Sequence, residues 1–332
     1  MRIAARIAPL IIFAASGLGL GQANAASGWL NWRGPDMNGV SKSSVKLPDK
    51  LEVGGPNHRW SFPVKGAGTP VIADGRVYAF GFYGETTDVE ETLICLDVKT
   101  GAKIWEHRFR DYLSDTTYNR YSIGAPVIDA ETGNVYLEST WGHVYAFNRD
   151  GKLLWQHSMM EEFGRLTFPN GRTGALVVDG PLVITDGVTA NWGADGPASN
   201  RFYAFDKNTG ELAWTSTPGI QPIDSTFATP VFGNLGNQRV FYQGTGCGHV
   251  VCINARTGEP VWRFRLSGAG VNADVVLVGN DRMIAIHGKE NIDSTSHGRL
   301  VMLKIPTEYP TAPGPRPMIL GKEAEVWRND DF

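Results

Sequence analysis

The densest polar run in the chain is His287-Gly288-Lys289-Glu290-Asn291-Ile292-Asp293. Glu290, Asn291 and Asp293 supply the oxygen ligands that a Ca²⁺ ion accepts. A solvated loop with internal ion pairs accounts for the same residues. A second group holds Arg120, Tyr121, Arg165, Asn191, Trp192 and Asp224. Trp192 among Asn, Asp and Gly suits a flat polar ligand such as a sugar or a quinone. The structural alternative is a self-packed loop with Trp192 as its plug. Among nucleophiles, three Cys are too few for a disulfide framework, and their spacing forms no zinc site. Cys95 and Cys252 share a repeat slot with Ala146 and Ala204 and read as small buried residues. Cys247 lies in a Gly-rich turn and is expected to be more exposed. His143 and His249 both occur in Gly-His-Val, where other repeats have Thr92, Arg201 and Arg299, so the slot reads as solvent-facing and polar rather than metal-binding. Gly-x-Ser-x-Gly, His-Glu-x-x-His and phosphate-loop motifs are absent.

The elements that must position these residues are repeats. Trp60, Trp105, Trp155, Trp214, Trp262 and Trp327 recur at intervals of 45 to 65 residues. Four of them end the segments Cys95–Trp105, Ala146–Trp155, Ala204–Trp214 and Cys252–Trp262. In each, Asp or Asn opens a turn and Gly101, Gly151, Gly210 or Gly258 closes it, four residues before the Trp. Asp and Asn hydrogen-bond a turn backbone, and Gly accepts positive φ. A second hairpin lies upstream of each, as in Val71-Ile-Ala-Asp-Gly-Arg-Val-Tyr78. Each unit is thus four antiparallel strands, here called A to D. Four-stranded sheets of this period bury both faces by radial stacking, so the expected fold is an all-β propeller. The D-to-A and B-to-C connections share one face of such a propeller, and the long insertions are all expected there. Long loops on one side of a rigid scaffold point to a binding surface.

The Asp-x-x-Thr-Gly-x-x-x-Trp pattern at Asp97 and Asp206, with variants at Asn148 and Asn254, resembles the PQQ-like propeller repeat. That family includes quinoprotein dehydrogenases and the assembly protein BamB. The opening Asn31-Trp-Arg-Gly-Pro-Asp-Met-Asn-Gly-Val-Ser41 is similar to the start of secreted propellers of this kind. The resemblance implies either a noncatalytic scaffold in the cell envelope, with an envelope protein or a glycan as partner, or a PQQ- and calcium-dependent alcohol or sugar dehydrogenase. Quinoprotein dehydrogenases of this fold carry two adjacent Cys against the cofactor. This chain has no adjacent Cys, which favours the scaffold and no bound cofactor. A hydrolase or lyase using paired carboxylates is the third reading.

With 31 Lys+Arg against 34 Asp+Glu among 332 residues, the net charge of −3 argues against a nucleic-acid partner. Residues 1–25 read as a signal peptide: basic Arg2 and Arg6, an apolar stretch, and cleavage after Ala23-Asn24-Ala25, before Ala26. The product would be periplasmic or secreted, without a membrane-spanning segment. An N-terminal segment covers residues 26–57, and the propeller residues 58–332. Its blades are expected at about 63–105, 122–155, 172–214, 226–262 and 272–327. His58–Phe62 reads as a lone D strand completing a closing blade whose other strands do not follow Trp327. The expected ring is therefore incomplete: five blades and one strand, with a truncated C-terminus.

Overall fold

The computed structural model describes residues 25–110, 121–166, 174–191, 196–310 and 317–330. Residues 1–24, within the stretch read from sequence as a signal peptide, and Arg120 and Trp192 lie outside the described residues. The described residues form five sheets in sequence order, each with strands A to D hydrogen-bonded in succession. Blade 1 holds β2 (Val71–Ala73), β3 (Arg76–Tyr83), β4 (Glu90–Asp97) and β5 (Lys103–Phe109). Blade 2 holds β6 (Val127–Ile128), β7 (Val135–Glu138), β8 (His143–Phe147) and β9 (Leu153–Ser158). Blade 3 holds β10 (Val177–Asp179), β11 (Leu182–Val188), β12 (Asn200–Asp206) and β13 (Leu212–Ser216). Blade 4 holds β14 (Val231–Leu235), β15 (Gln238–Gly244), β16 (His249–Asn254) and β17 (Pro260–Arg265). Blade 5 holds β18 (Val276–Val278), β19 (Arg282–Glu290), β20 (His297–Lys304) and β22 (Glu325–Asn329). Two blades carry a fifth strand. β1 (Gly28–Trp29) pairs antiparallel with β2, and β21 (Met318–Leu320) pairs parallel with β17.

Apolar packing joins each blade to the next. Leu93 of blade 1 and Leu137 of blade 2 share one core, Tyr136 and Tyr203 join blades 2 and 3, Ile184 and Phe241 join blades 3 and 4, and Val250 and Val301 join blades 4 and 5. Cys95, Ala146, Ala204 and Cys252 are all fully buried, as the shared slot requires.

The repeat pattern explains how the stack is keyed. Gly101, Gly151, Gly210 and Gly258 all have φ between +71° and +84°. A Cβ on any of them would come within 2.6–2.8 Å of the indole of Trp60, Trp105, Trp155 and Trp214 respectively. Each Trp therefore lies flat on the turn of the following blade. Three of the indoles also donate to a carbonyl in that turn: Trp60 to Val98, Trp105 to Arg149 and Trp155 to Lys207, at 3.0–3.1 Å.

Trp60 keeps this docking place although His58–Phe62 forms no strand. The only pairing nearby is an isolated bridge from Lys65 to Phe82, so the lone D strand is corrected to an extended docking segment. The expectation that every long insertion lies on one face also fails. Blade 5 joins its C and D strands through residues 305–324, on the face of the short Thr-Gly turns, and this connection carries β21 to the outer edge of blade 4. It covers Trp262, which is fully buried, whereas Trp327 is 39% exposed.

Candidate functional site

The A strands of blades 1 and 2, and of blades 2 and 3, approach one another, and as the inner strands of a propeller the A strands wall its central hub. The N-terminal segment enters this hub. Gly28–Trp29 pairs along Ile72–Ala73 of blade 1, and the Ile128 amide of blade 2 donates to the Leu30 carbonyl. Trp32 Nε1 donates to Thr229 Oγ1 of the blade 4 wall at 3.1 Å, and Arg33 pairs with Asp274 at the entry to blade 5 at 3.2 Å. The chain then turns back at Gly34-Pro35, with Gly34 (φ +79°) lying against the Trp29 ring, and Met37 packs with the blade 3 and blade 4 core. Residues 26–38 thus form a hairpin that touches all five blades. It leaves a cavity of about 240 Å³ at Trp32, beside Thr69, Ala125, Ala175 and Phe227. Two others, of about 540 and 320 Å³, flank Pro35 and Met37 at the opposite end.

Carboxylates are set between the blades beside this wall. Glu138 and Asp186 hold equivalent positions near the ends of the B strands of blades 2 and 3, two residues beyond Tyr136 and Ile184, which pair with Ala146 and Ala204. Each accepts from the next blade: Glu138 from the Thr185 hydroxyl, and Asp186 from Gln243 Nε2 at 2.7 Å. Arg165 pairs with Glu138 at 3.2 Å, and both side chains are buried. Asn200 Nδ2 donates to the other Asp186 oxygen at 2.7 Å. Burial pushes the Asp186 carboxyl up to about 7, against the opposing effect of the Asn200 and Gln243 donors. Glu91 of blade 1 is enclosed by the amides and hydroxyls of Ser122 and Thr140, at 2.5–3.1 Å where they meet its oxygens or one another, and burial pushes it up to about 7 despite them. Burial likewise raises Asp274, although Thr229 and Arg33 both donate to it.

Of the described residues expected from sequence to gather, the structure places Arg165 in this buried network and the others elsewhere. Asn191 is exposed. His287 is buried, and burial, with Arg299 beside it, lowers its pKa. Lys289 is half-exposed and lies 3.9 Å from Asp224. Glu290 is exposed, while the Asn291 amide donates within its own loop to Ser296 and Gly298. Asp293 has one oxygen held by Arg299 at 2.5 Å and the other by Arg328 at 2.7 Å, which keeps its carboxyl well below the usual range. Glu290, Asn291 and Asp293 therefore do not turn their oxygens towards a common point. In the wall, amide donors and the Arg165 guanidinium face the two carboxylates where a divalent cation would need oxygens. Among the described residues, no cluster of three His, Cys, Asp or Glu side chains could hold a metal ion. The arrangement does not fit a calcium–quinone pair.

Two polar slots differ from expectation. Thr92, His249 and Arg299 are buried rather than solvent-facing, whereas His143 and Arg201 of the same slot are partly exposed. Cys247 is only 2% exposed, packed under Gly219. Burial raises its thiol, but hydrogen bonds from His249 and Thr245 outweigh this and bring it down to about 7. The sequence reasoning missed Glu91, Glu138, Asp186, Asn200, Gln243 and Asp274. A usable signal was present: an acidic residue follows the apolar part of the B strand in two successive repeats, as Tyr136-Leu-Glu138 and Ile184-Thr-Asp186.

Fold and repeat together define a β-propeller of PQQ-type repeats. The family model described as outer membrane protein assembly factor BamB matches residues 52–193 and 198–300. The chain belongs to this family. It is 24% identical over 217 residues to the outer membrane protein assembly factor BamB of Burkholderia pseudomallei, covering 64% of this chain and 44% of that one. It is 28% identical over 179 residues to the tetrathionate hydrolase of Acidithiobacillus ferrooxidans, covering 47% of this chain and 31% of that one. The chain thus spans less than half the length of these two curated relatives. Among solved structures it is similar in fold to a europium-containing methanol dehydrogenase, with a TM-score of 0.52 at 14% identity, covering 75% of this chain and 51% of that one. No helix among the described residues is long and apolar enough to cross a membrane.

Proposed function

We propose that the chain is a noncatalytic protein-interaction scaffold of the cell envelope, exported by the signal peptide of residues 1–25 and cleaved before Ala26. One observation carries this reading: the chain's own N-terminal hairpin runs through the hub. An open funnel at the axis is what a substrate or cofactor of this architecture would use. The wall carboxylates direct their hydrogen bonds inward, from blade to blade, which keys neighbouring blades together. Membership of the BamB family supports the envelope role. One surface open to partners is the loop face, where Ile220 and Ile223 are exposed on the connection into blade 4. A photo-crosslinking residue at position 223 should capture a discrete envelope protein or a glycan in cells. Crosslinks to solvent alone, with the protein folded and exported, would overturn the reading.

A second reading rests on Asp186. It is partly exposed, and a carboxyl held near 7 can act as a general acid or base. The relative named tetrathionate hydrolase makes hydrolysis the reaction class to assay. Turnover abolished by Asp186→Asn in a folded protein would favour it over the scaffold.

A further inference from the structure

Blade 4 shows what the outer edge of a blade can accept. Its D strand, β17, takes β21 as a fifth strand in parallel, with Trp262 opposite Met318, Arg263 opposite Ile319 and Phe264 opposite Leu320. The residue just before the blade Trp is then fully covered: Val261 is 0% exposed. Its counterparts at the open edges are not. Ile104 and Leu154 are 45% and 42% exposed, and Val326 is 47% exposed.

The open edges differ in how they are guarded. A bare strand edge offers unpaired N–H and C=O groups, and charged side chains are the usual means of keeping other strands away. β5 carries Lys103, Glu106 and Arg108, tied together by ion pairs, and β22 carries Glu325 and Arg328. β9 reads Leu-Leu-Trp-Gln-His-Ser and β13 reads Leu-Ala-Trp-Thr-Ser, with no Lys, Arg, Asp or Glu. Leu153, Leu154 and Leu212 are each exposed by two-fifths or more on these two strands. Among the described residues, no strand of the chain pairs beyond β9 or β13.

Building on the scaffold reading above, we propose that the outer edges of blades 2 and 3 bind an extended, apolar segment of a partner polypeptide as an added fifth strand. The bound segment resembles Met318-Ile319-Leu320 in chemistry and in its parallel sense. Main-chain hydrogen bonds supply the affinity, and the exposed leucines select apolar over charged side chains. The fold already extends its own blades this way twice, through β1 on an inner edge and β21 on an outer edge. Blades 2 and 3 have the same edge and lack the covering strand.

The test uses the full chain and a capped synthetic peptide of residues 317–322, Pro-Met-Ile-Leu-Gly-Lys. Amide hydrogen exchange is followed strand by strand as the peptide is added. Exchange in β9 and β13 should slow by about tenfold at saturation, while β17, already covered, should not change. Leu154→Lys and Ala213→Lys add the missing guard charges at exposed positions. Each should remove the protection at its own edge without moving the melting temperature. Unchanged exchange in β9 and β13 at millimolar peptide, or protection that survives both Lys variants, would overturn the proposal. Partner capture through position 223 with no edge protection would sink the edge alone and leave the scaffold standing.

Discussion

Glu91 and Asp186 are unusual residues for a structural wall, since each is a carboxyl held near 7 inside an interface between blades. Their folded values lie above their unfolded ones. Folding therefore takes up protons between the ordinary carboxyl range and about 7. Their stabilising contribution is fully present below that range and is lost as pH rises through about 7. For Glu91 the change is about 3 kcal/mol at most. Melting temperature should fall between pH 5 and pH 8, roughly opposite to the trend set by exposed paired carboxylates such as Asp293. Asp186→Asn should flatten part of that slope. A pH-independent melting curve in the parent protein would show that these carboxyls are not desolvated as described. These residues were hard to read from sequence because a lone acid at a strand end looks like surface. Only the neighbouring blade, supplying Thr185 to Glu138 and Gln243 to Asp186, makes it an interior group.

The repeating element is the Trp of one blade seated on the Gly of the next. Gly151 needs its φ of +84°, and a Cβ there would strike Trp105. Gly151→Ala should destabilise by about 1–3 kcal/mol, read from denaturant unfolding. Trp155 is buried, lies on Gly210 and donates to the Lys207 carbonyl. Trp155→Ala should cost about 3–5 kcal/mol, while the exposed neighbour Leu154→Lys should be nearly neutral. Equal effects at 154 and 155 would mean that the indoles do not dock the blades. This device was legible in the sequence because its parts are local: Asp or Asn, Gly and Trp lie within eleven residues in four of the copies. The same pattern placed Trp60 correctly while misjudging its backbone, since indole docking does not require strand pairing. The β21 addition was not legible. Three apolar residues inside a long connection carry no periodicity, and their partner strand lies over fifty residues away.

At the scale of the molecule, the hub hairpin is what joins blades distant in sequence. Arg33 and Asp274 are 241 residues apart, and both side chains are largely shielded from solvent. Arg33→Ala leaves the Asp274 carboxylate without its cation and should cost about 3 kcal/mol, seen as a lower melting temperature and earlier proteolysis between blades. Sequence reading set residues 26–57 aside as a segment and identified the Trp32-Arg33-Gly34-Pro35 motif, but not its destination. A hairpin that runs through an axis makes its contacts through single residues to separate blades, and no local pattern encodes them. The same occupied axis separates the scaffold from the quinoprotein reading. Calorimetric titration of PQQ, with Ca²⁺ present, into the purified chain tests this most directly. No saturable heat is expected from a folded, monodisperse sample, because Trp32 and Arg33 occupy the hub and the wall donors face inward. Saturable binding near one equivalent would overturn the noncatalytic scaffold and make Asp186 and Glu138 the first residues to mutate.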